Sequence, residues 1–135
     1  MKNRFQILAL DGGGIKGLFS AAVLAFLEED LGINITDHFD LITGTSTGGI
    51  IAIGLGLGMK PREIVEFYVS NGSEIFDSGC LSSLKHLFKS KYQAEPLENA
   101  LRECFKNRRL ADSHKRVVIP SYNIGDDSVY LFKTP

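Results

Sequence analysis

Short apolar runs alternate with longer stretches of helical periodicity along the chain. Runs at Phe5–Leu10 and Phe39–Thr43 have the length and the composition of buried strands. A further pair, Val117–Tyr122 and Val129–Phe132, flanks a turn at residues 125–127. Because strands that alternate with helices form mostly parallel sheets, this pattern predicts an α/β fold with helices on both faces of the sheet.

Four helices are predicted among these strands, in each case from apolar positions that recur at helical spacing. In chain order they run from Ile15 or Lys16 to Leu31, from Gly49 to about Gly58, from Pro61 to the segment 71–73, and from Pro96 to Phe105. Gly32 follows the first helix as a C-terminal cap, and proline is a favourable first-turn residue in the last two. The second helix is apolar on every side, which predicts that it is buried.

Composition and length fit one globular domain. The chain has 135 residues, of which 44% are hydrophobic and 23% are charged, and this is enough for a single domain with its own core. The formal net charge of −1 gives no reason to expect a nucleic acid partner. Cys80 and Cys104 form no disulfide framework and no metal-ligand pattern, so both are interpreted as reduced thiols.

No targeting signal is expected from the sequence. Residues 1–4 carry two cations but lead into a short strand, without the apolar region and the cleavage site of a signal peptide. The most apolar stretch, Gly48–Met59, is shorter than the roughly 20 residues that span a bilayer. A cytoplasmic protein is therefore expected.

The sequence G-T-S-T-G-G at residues 44–49 carries the strongest chemical signal. Within it, Gly44, Ser46 and Gly48 form the G-x-S-x-G pattern, in which a sharp strand-to-helix turn exposes a nucleophilic serine. Glycines are needed because side chains on either side of the serine would collide where the strand and the helix cross. A strand-like run precedes the motif and a helical pattern follows it, so Ser46 is predicted to be a nucleophile.

A second glycine cluster, D-G-G-G-I-K-G at residues 11–17, follows the first strand and opens the first helix. Backbone N–H groups at such a junction, near the positive end of a helix, are suited to bind an anion. If Ser46 attacks an ester, the anion is the oxygen of the tetrahedral intermediate. Gly12, Gly13 and Gly14 are then predicted to form the oxyanion hole.

The same cluster also fits a dinucleotide fingerprint, because Gly12, Gly14 and Gly17 spell G-x-G-x-x-G between a strand and a helix. That fingerprint needs an acidic residue about 20 positions further on, at the carboxyl end of the second strand. Asp37 precedes the strand and Asp40 lies early in it, so neither meets the requirement. The nucleotide P-loop is excluded because Lys and Ser or Thr do not follow the last glycine.

Together the two motifs resemble those of the patatin-like phospholipases, and the resemblance extends from about Arg4 to the end of the chain. It implies a three-layer α/β/α fold and a lipid acyl hydrolase with a Ser–Asp dyad. On this resemblance Ser46 is the serine of the dyad and Gly12–Gly14 are the oxyanion loop. The supporting motif residues are Asp11, Lys16, Gly17, Gly44 and Gly48. Lys16 stands where family members often have arginine, and it lacks the planar fork for bidentate contacts.

The second catalytic residue of the family, the aspartate of a D-G-G or D-G-A motif, has no match after Ser46, since Asp126 and Asp127 are followed by Ser128. The last two strands would also leave a sheet edge without a cover. The chain is therefore expected to be the N-terminal part of a single patatin-like domain that continues beyond Pro135. It would hold the nucleophile and the oxyanion loop without the base. The alternative is a histidine base, from His38, His86 or His114.

The resulting interpretation is a lipid ester hydrolase that needs no metal or organic cofactor. Its partner would be a lipid or phospholipid, with a peripheral contact to the membrane. Residues 81–91 alternate leucines with cations, which fits a lipid-facing amphipathic segment but favours an ordinary surface helix. The alternatives from other classes are a nucleotide-binding module that uses the Gly12–Gly17 loop and a catalytically silent module that keeps the fold.

Overall fold

A computed structural model describes residues 4–77 and 95–135 of the chain. Its elements are β1 (Ile7–Leu10), α1 (Gly17–Leu31), β2 (Leu41–Gly44), α2 (Thr47–Gly56), α3 (Pro61–Asp77), α4 (Glu95–Phe105), β3 (Arg116–Asn123) and β4 (Ser128–Lys133). Short 3-10 turns at Gly14–Lys16, Ile35–His38 and Leu110–Asp112 precede α1, β2 and β3. Cys80, His86 and the amphipathic segment at 81–91 lie outside the described residues.

The four strands form one sheet in the order β1-β2-β3-β4. β1 and β3 both run parallel to β2, whereas β4 is antiparallel to β3. The predicted α/β class with a mostly parallel sheet is thus confirmed. β3 continues past the end of β2: Thr43 pairs with Val118, so Asn123 lies four residues beyond the level of Gly44. The hairpin of β3 and β4 therefore projects about 13 Å past the carboxyl end of β2, at about 3.3 Å per residue.

Helices α1, α2 and α3 cover one face of the sheet, and α4 packs against α3. Leu10, Ile42 and Val117 are buried on that face, in one cluster with side chains of α1, α2 and α3. Ile7, which points to the other face of β1, is 52% exposed. Parallel strands that follow one another in order, with right-handed crossovers, place their connecting helices on the same face. The described residues thus supply two of the three expected layers, namely the sheet and the helices on one of its faces.

The predicted helix boundaries hold at α1 and fail at α3. Gly32 caps α1 in the left-handed conformation, with φ of 61°, as the sequence predicts. The predicted end of the third helix at 71–73 is wrong, because α3 continues to Asp77. Gly72 is buried inside this helix and Ile75 beyond it is only 1% exposed. Burial of Ile75 therefore outweighs the low helix propensity of glycine.

α2 is buried along its length, as its apolar sequence predicts. It packs on β2 and β3, and Gly56 in its last turn lies directly against Val117. Within the part of the chain that the structure describes, no helix is both long and apolar enough to cross a membrane.

Replacing Gly56 with alanine is expected to destabilise the fold. The added Cβ would lie 2.4 Å from Val117 Cγ2 in the core, so α2 must move away from the sheet. Overpacking of this kind costs about 1–3 kcal/mol of unfolding free energy, measurable by urea denaturation. The control is Gly125→Ala in the exposed hairpin turn, where the nearest atom would be 3.4 Å away. Equal stability of the two variants would contradict the close packing of α2.

Candidate active site

Ser46 lies between the carboxyl end of β2 and the first residue of α2, in a strained backbone conformation. Its φ of 53° and ψ of −122° are unusual for a residue with a side chain. A Cβ on Gly44 would lie 2.3 Å from the carbonyl oxygen of Gly48, and a Cβ on Gly48 would lie 2.2 Å from that of Leu10. Both glycines are therefore required by contact, which is the packing that the G-x-S-x-G pattern predicts.

The Ser46 hydroxyl is exposed at the N-terminal end of α2. Among the described residues, no hydrogen bond joins its side chain to another group, while its carbonyl oxygen accepts the first helical bond from Ile50 N at 3.1 Å. The side chain is thus accessible, and it stands at the positive end of a helix dipole. Such a position favours negative charge on a reacting oxygen.

The glycine loop at 11–17 is in contact with this serine. A Cβ on Gly12 would lie 3.0 Å from both Ser46 Cβ and the carbonyl oxygen of Thr45. In the described residues, the backbone N–H groups of Gly12, Gly13 and Gly14 donate no hydrogen bond, whereas the Gly13 carbonyl accepts one from Lys16 N at 3.2 Å. The fold therefore brings three unpaired donors to the segment beside Ser46.

Asp11 and Lys16 lie at the two ends of this loop, and both are exposed. Neither takes part in an ion pair with another described residue. The structure thus places both motif residues at the site without assigning either a contact there.

Gly17 locks the start of α1 against the start of α2. A Cβ at Gly17 would lie 2.6 Å from Thr47 Cγ2 and 2.8 Å from Thr47 Cβ. Thr47 is 2% exposed, and its Oγ1 has no hydrogen-bond partner among the described residues. Because Thr47 directly follows Ser46, this contact fixes the position of the glycine loop relative to the nucleophile.

Tyr68 of α3 contacts the same turn from the buried side. Its hydroxyl donates a buried hydrogen bond of 3.2 Å to the Thr47 carbonyl oxygen. Burial raises the pKa of the Tyr68 hydroxyl, so the group stays a protonated donor at neutral pH. Tyr68 follows Ile64 at helical spacing in the sequence, and a buried tyrosine hydroxyl normally finds a partner. That signal predicts a hydrogen bond but not which carbonyl accepts it.

The histidines that the structure describes lie far from Ser46. His114 N donates to the Gly56 carbonyl at 2.8 Å, and its ring is next to Gly58. It therefore lies at the far end of α2, about 15 Å from Ser46 at 1.5 Å per residue. His38 is exposed before β2, at the amino ends of the strands, whereas Ser46 follows their carboxyl ends. Neither is brought to the nucleophile.

Asp126 and Asp127 belong to the hairpin turn rather than to the serine site. Asp126 accepts a hydrogen bond of 2.9 Å from Asn123 Nδ2, and Asp127 accepts one from the Tyr122 hydroxyl. These bonds hold the turn together at the projecting end of the hairpin. No described aspartate is hydrogen-bonded to Ser46.

The acidic residues weighed for a dinucleotide site lie at the opposite edge of the sheet from the glycine loop. Asp40 accepts a 2.8 Å hydrogen bond from Gln6 N, and Asp37 pairs with Lys115 at 3.3 Å. Both contacts are at the amino ends of the strands, so neither carboxylate can meet a ribose bound at residues 12–17. In the described ranges, no group of three or more His, Cys, Asp or Glu residues is arranged to hold a metal ion.

Comparison with known proteins assigns the chain to a family. The model of the patatin-like phospholipase family matches residues 8–134. A "cGAMP-activated phospholipase" of Pseudomonas aeruginosa is 39% identical over 135 residues, covering 97% of this chain and 40% of that protein. One of the same name from Escherichia coli is 35% identical, covering 99% of this chain and 40% of that protein. Patatin-like protein 1 of Oryza sativa is 35% identical, covering 90% of this chain and 33% of that protein. The chain spans about two fifths or less of each relative.

Replacing Tyr68 with phenylalanine is expected to remove the hydrogen bond to Thr47 while keeping the ring, which packs edge-on against Phe67. The loss of this buried hydrogen bond should cost about 1 kcal/mol of unfolding free energy, measured by urea denaturation. The matched control is Tyr130→Phe, because the Tyr130 ring is 55% exposed and its loss of a hydroxyl should change stability little. Similar effects of the two substitutions would contradict a supporting role for Tyr68.

Proposed function

The chain belongs to the patatin-like phospholipase family, and we propose that it provides the nucleophile and the oxyanion hole of a hydrolase that cleaves carboxylic esters of lipids. The observation that carries this proposal is the exposed Ser46 hydroxyl in a strained turn, in contact with a loop of three unpaired backbone donors. Strained backbone and unpaired backbone donors of this kind cluster at functional sites.

In the proposed reaction, Ser46 Oγ attacks the ester carbonyl carbon and its proton passes to a base. The carbonyl oxygen becomes the anion of a tetrahedral intermediate. This intermediate collapses to an acyl-serine as the base returns the proton to the leaving oxygen, and the alcohol is released. Water then attacks the acyl-serine by the same steps and releases the fatty acid. The positive end of α2 favours the negative charge that develops beside Ser46.

The amides of Gly12, Gly13 and Gly14 are proposed to donate to that anion. Each well-placed donor in such a site stabilises the transition state by about 3 kcal/mol. Support comes from the contact between Gly12 and Ser46 and from the lack of other acceptors for these amides among the described residues. Gly17, Gly44 and Gly48 serve the site indirectly, because each allows a close approach that positions Ser46 or the loop.

The base is proposed to be an aspartate supplied from outside these 135 residues, completing a Ser–Asp dyad. Two observations support this. The described histidines and the turn aspartates lie away from Ser46, and the chain spans only 40% of the first relatives that it matches. A cytoplasmic location and a peripheral contact with the membrane stay predictions.

Regulation by a nucleotide is a second candidate, supported by the names of related proteins. Relatives from Pseudomonas aeruginosa, Escherichia coli and Vibrio cholerae are called cGAMP-activated phospholipases. We therefore propose that hydrolysis by this protein depends on cGAMP. Assays with and without cGAMP test this, and equal turnover under both conditions would exclude such activation.

Ser46→Ala is expected to lower ester hydrolysis by the full-length protein by about 10⁴-fold or more, because the nucleophile is removed. The measurement is turnover of a short-chain nitrophenyl ester, with cGAMP present, together with labelling by a fluorophosphonate probe. Ser70→Ala on the exposed face of α3 is the matched control and should keep wild-type turnover and labelling. Turnover by Ser46→Ala within tenfold of wild type would refute the assignment, and an unlabelled wild-type protein would favour a catalytically silent module.

The 135 residues alone are expected to show no ester turnover, because an alcohol is a poor nucleophile until a base lies within hydrogen-bond reach. The test compares this polypeptide with the full-length protein in the same assay, at equal molar concentration and after a check of folding by circular dichroism. Comparable turnover per molecule would place the base within this chain, and the candidates to mutate would then be His38, His86, His114, Asp126 and Asp127.

A further inference from the structure

An apolar cavity of about 320 Å³ lies on the helix-covered face of the sheet, between α2, the end of α4 and the β3–β4 hairpin. Its apolar lining consists of Ile53, Leu57, Phe105, Leu110, Ile119 and Phe132. Arg108 and Arg109 complete the lining, and Arg108 Nη1 donates to the Leu57 carbonyl oxygen at 3.2 Å. Six of the eight described lining residues are apolar, and Arg108 is engaged with a backbone carbonyl, so the interior suits a hydrocarbon chain.

A second cavity, of about 350 Å³, adjoins the first and leads towards the carboxyl edge of the sheet. The two share Phe132, and the second also contains Ser121 and Asn123 of β3. Continuing the pairing of Thr43 with Val118 puts Ser121 two residues beyond the level of Gly44, beside the turn that carries Ser46. The path therefore begins level with the nucleophile and becomes more apolar away from it.

Ile119 connects the nucleophile turn to the apolar cavity. It lines the cavity, and its Cγ2 atom would lie 3.3 Å from a Cβ placed on Gly49 in the first turn of α2. The cavity and the turn are thus separated by one side chain.

One face of α2 extends from the turn at Ser46 to this cavity. Gly49, Ile53 and Leu57 recur at intervals of four residues, so they lie on one side of the helix. Leu57 is eleven residues from Ser46, which corresponds to about 16 Å along the helix. An extended hydrocarbon chain advances about 1.3 Å per carbon, given a C–C bond of about 1.5 Å, so roughly twelve carbons span this distance.

We propose that these two cavities hold the acyl chain of the ester that Ser46 cleaves, with the ester end at Ser121 and the tail between Ile53 and Phe132. This inference rests on the proposed function and adds the part of the substrate that the chain recognises. It assigns Ile53, Ile119 and Phe132 as residues that determine acyl-chain length. The cavity then gives long chains an advantage over short ones, because only long chains bury apolar surface against it.

The test is the ratio of kcat/KM for a nitrophenyl ester of twelve carbons to that for one of four carbons, measured on the full-length protein under conditions of Ser46-dependent turnover. Ile53→Trp should fill the apolar cavity and lower the ratio at least tenfold, mainly through the long ester. Phe132→Ala should remove apolar contact and lower the ratio at least threefold.

Leu131→Ala is the matched control for Phe132→Ala. The two side chains are neighbours in β4, are 50% and 52% exposed, and point to opposite faces of the sheet. Val69→Trp on the exposed side of α3 is the control for the added indole ring. Both controls should leave the ratio within twofold of wild type. If Ile53→Trp does not fold, the pair Phe132→Ala and Leu131→Ala decides alone, because both side chains are half exposed.

An unchanged ratio in Phe132→Ala, or an equal fall in Leu131→Ala, would overturn the acyl-chain site. If another segment of the protein fills the cavity, Ile53→Trp will lower the melting temperature and slow all esters alike, and this also overturns the proposal. Failure of the proposed function looks different, because Ser46→Ala would then keep turnover of the four-carbon ester.

Discussion

The structure depends on the close approach of three backbone segments at the carboxyl edge of the sheet. The end of β1, the serine turn and the first turn of α2 cross where Gly44 and Gly48 have no side chains, and a single added carbon would lie 2.2–2.3 Å from a carbonyl oxygen. No rotation of a side chain can relieve such an overlap, because both partners are main-chain atoms. The crossing therefore requires glycine at positions 44 and 48.

The positions of the other parts of the site follow from this crossing. With α2 held against the end of β1, the loop after β1 must pass beside Ser46, and the start of α1 must pack against Thr47. Tyr68 then fastens the same turn to α3 through the Thr47 carbonyl. The glycine loop, the serine turn and α3 are distant in sequence, but all are joined by contacts at Ser46 or Thr47. These contacts stabilise the strained backbone of Ser46.

The sequence predicts the elements and the serine turn well, because both depend on local patterns. Apolar runs mark the four strands, and the spacing of Gly44, Ser46 and Gly48 marks the turn. Tertiary contacts are less visible. Gly72 wrongly predicts the end of α3. The helix continues because Ile75 is buried by tertiary packing, which the local sequence does not reveal. The partner of Tyr68 and the cavity beneath Ile119 arise where separate elements meet, and no spacing in the sequence encodes them. The catalytic roles of Ser46 and the glycine loop stay predictions.

The parallel pairing of β2 with β3 has a consequence for the order in which the molecule assembles. Thr43 Oγ1 bonds to the Val118 carbonyl across 75 residues, whereas β3 and β4 pair through a tight hairpin. Loop-closure entropy must be overcome before such distant contacts give any stabilisation, so the hairpin can form early and the junction of β2 and β3 only late. The serine turn sits at that late junction. Loop-closure entropy therefore predicts that its unusual backbone geometry forms together with the pairing of β2 and β3, and not before it.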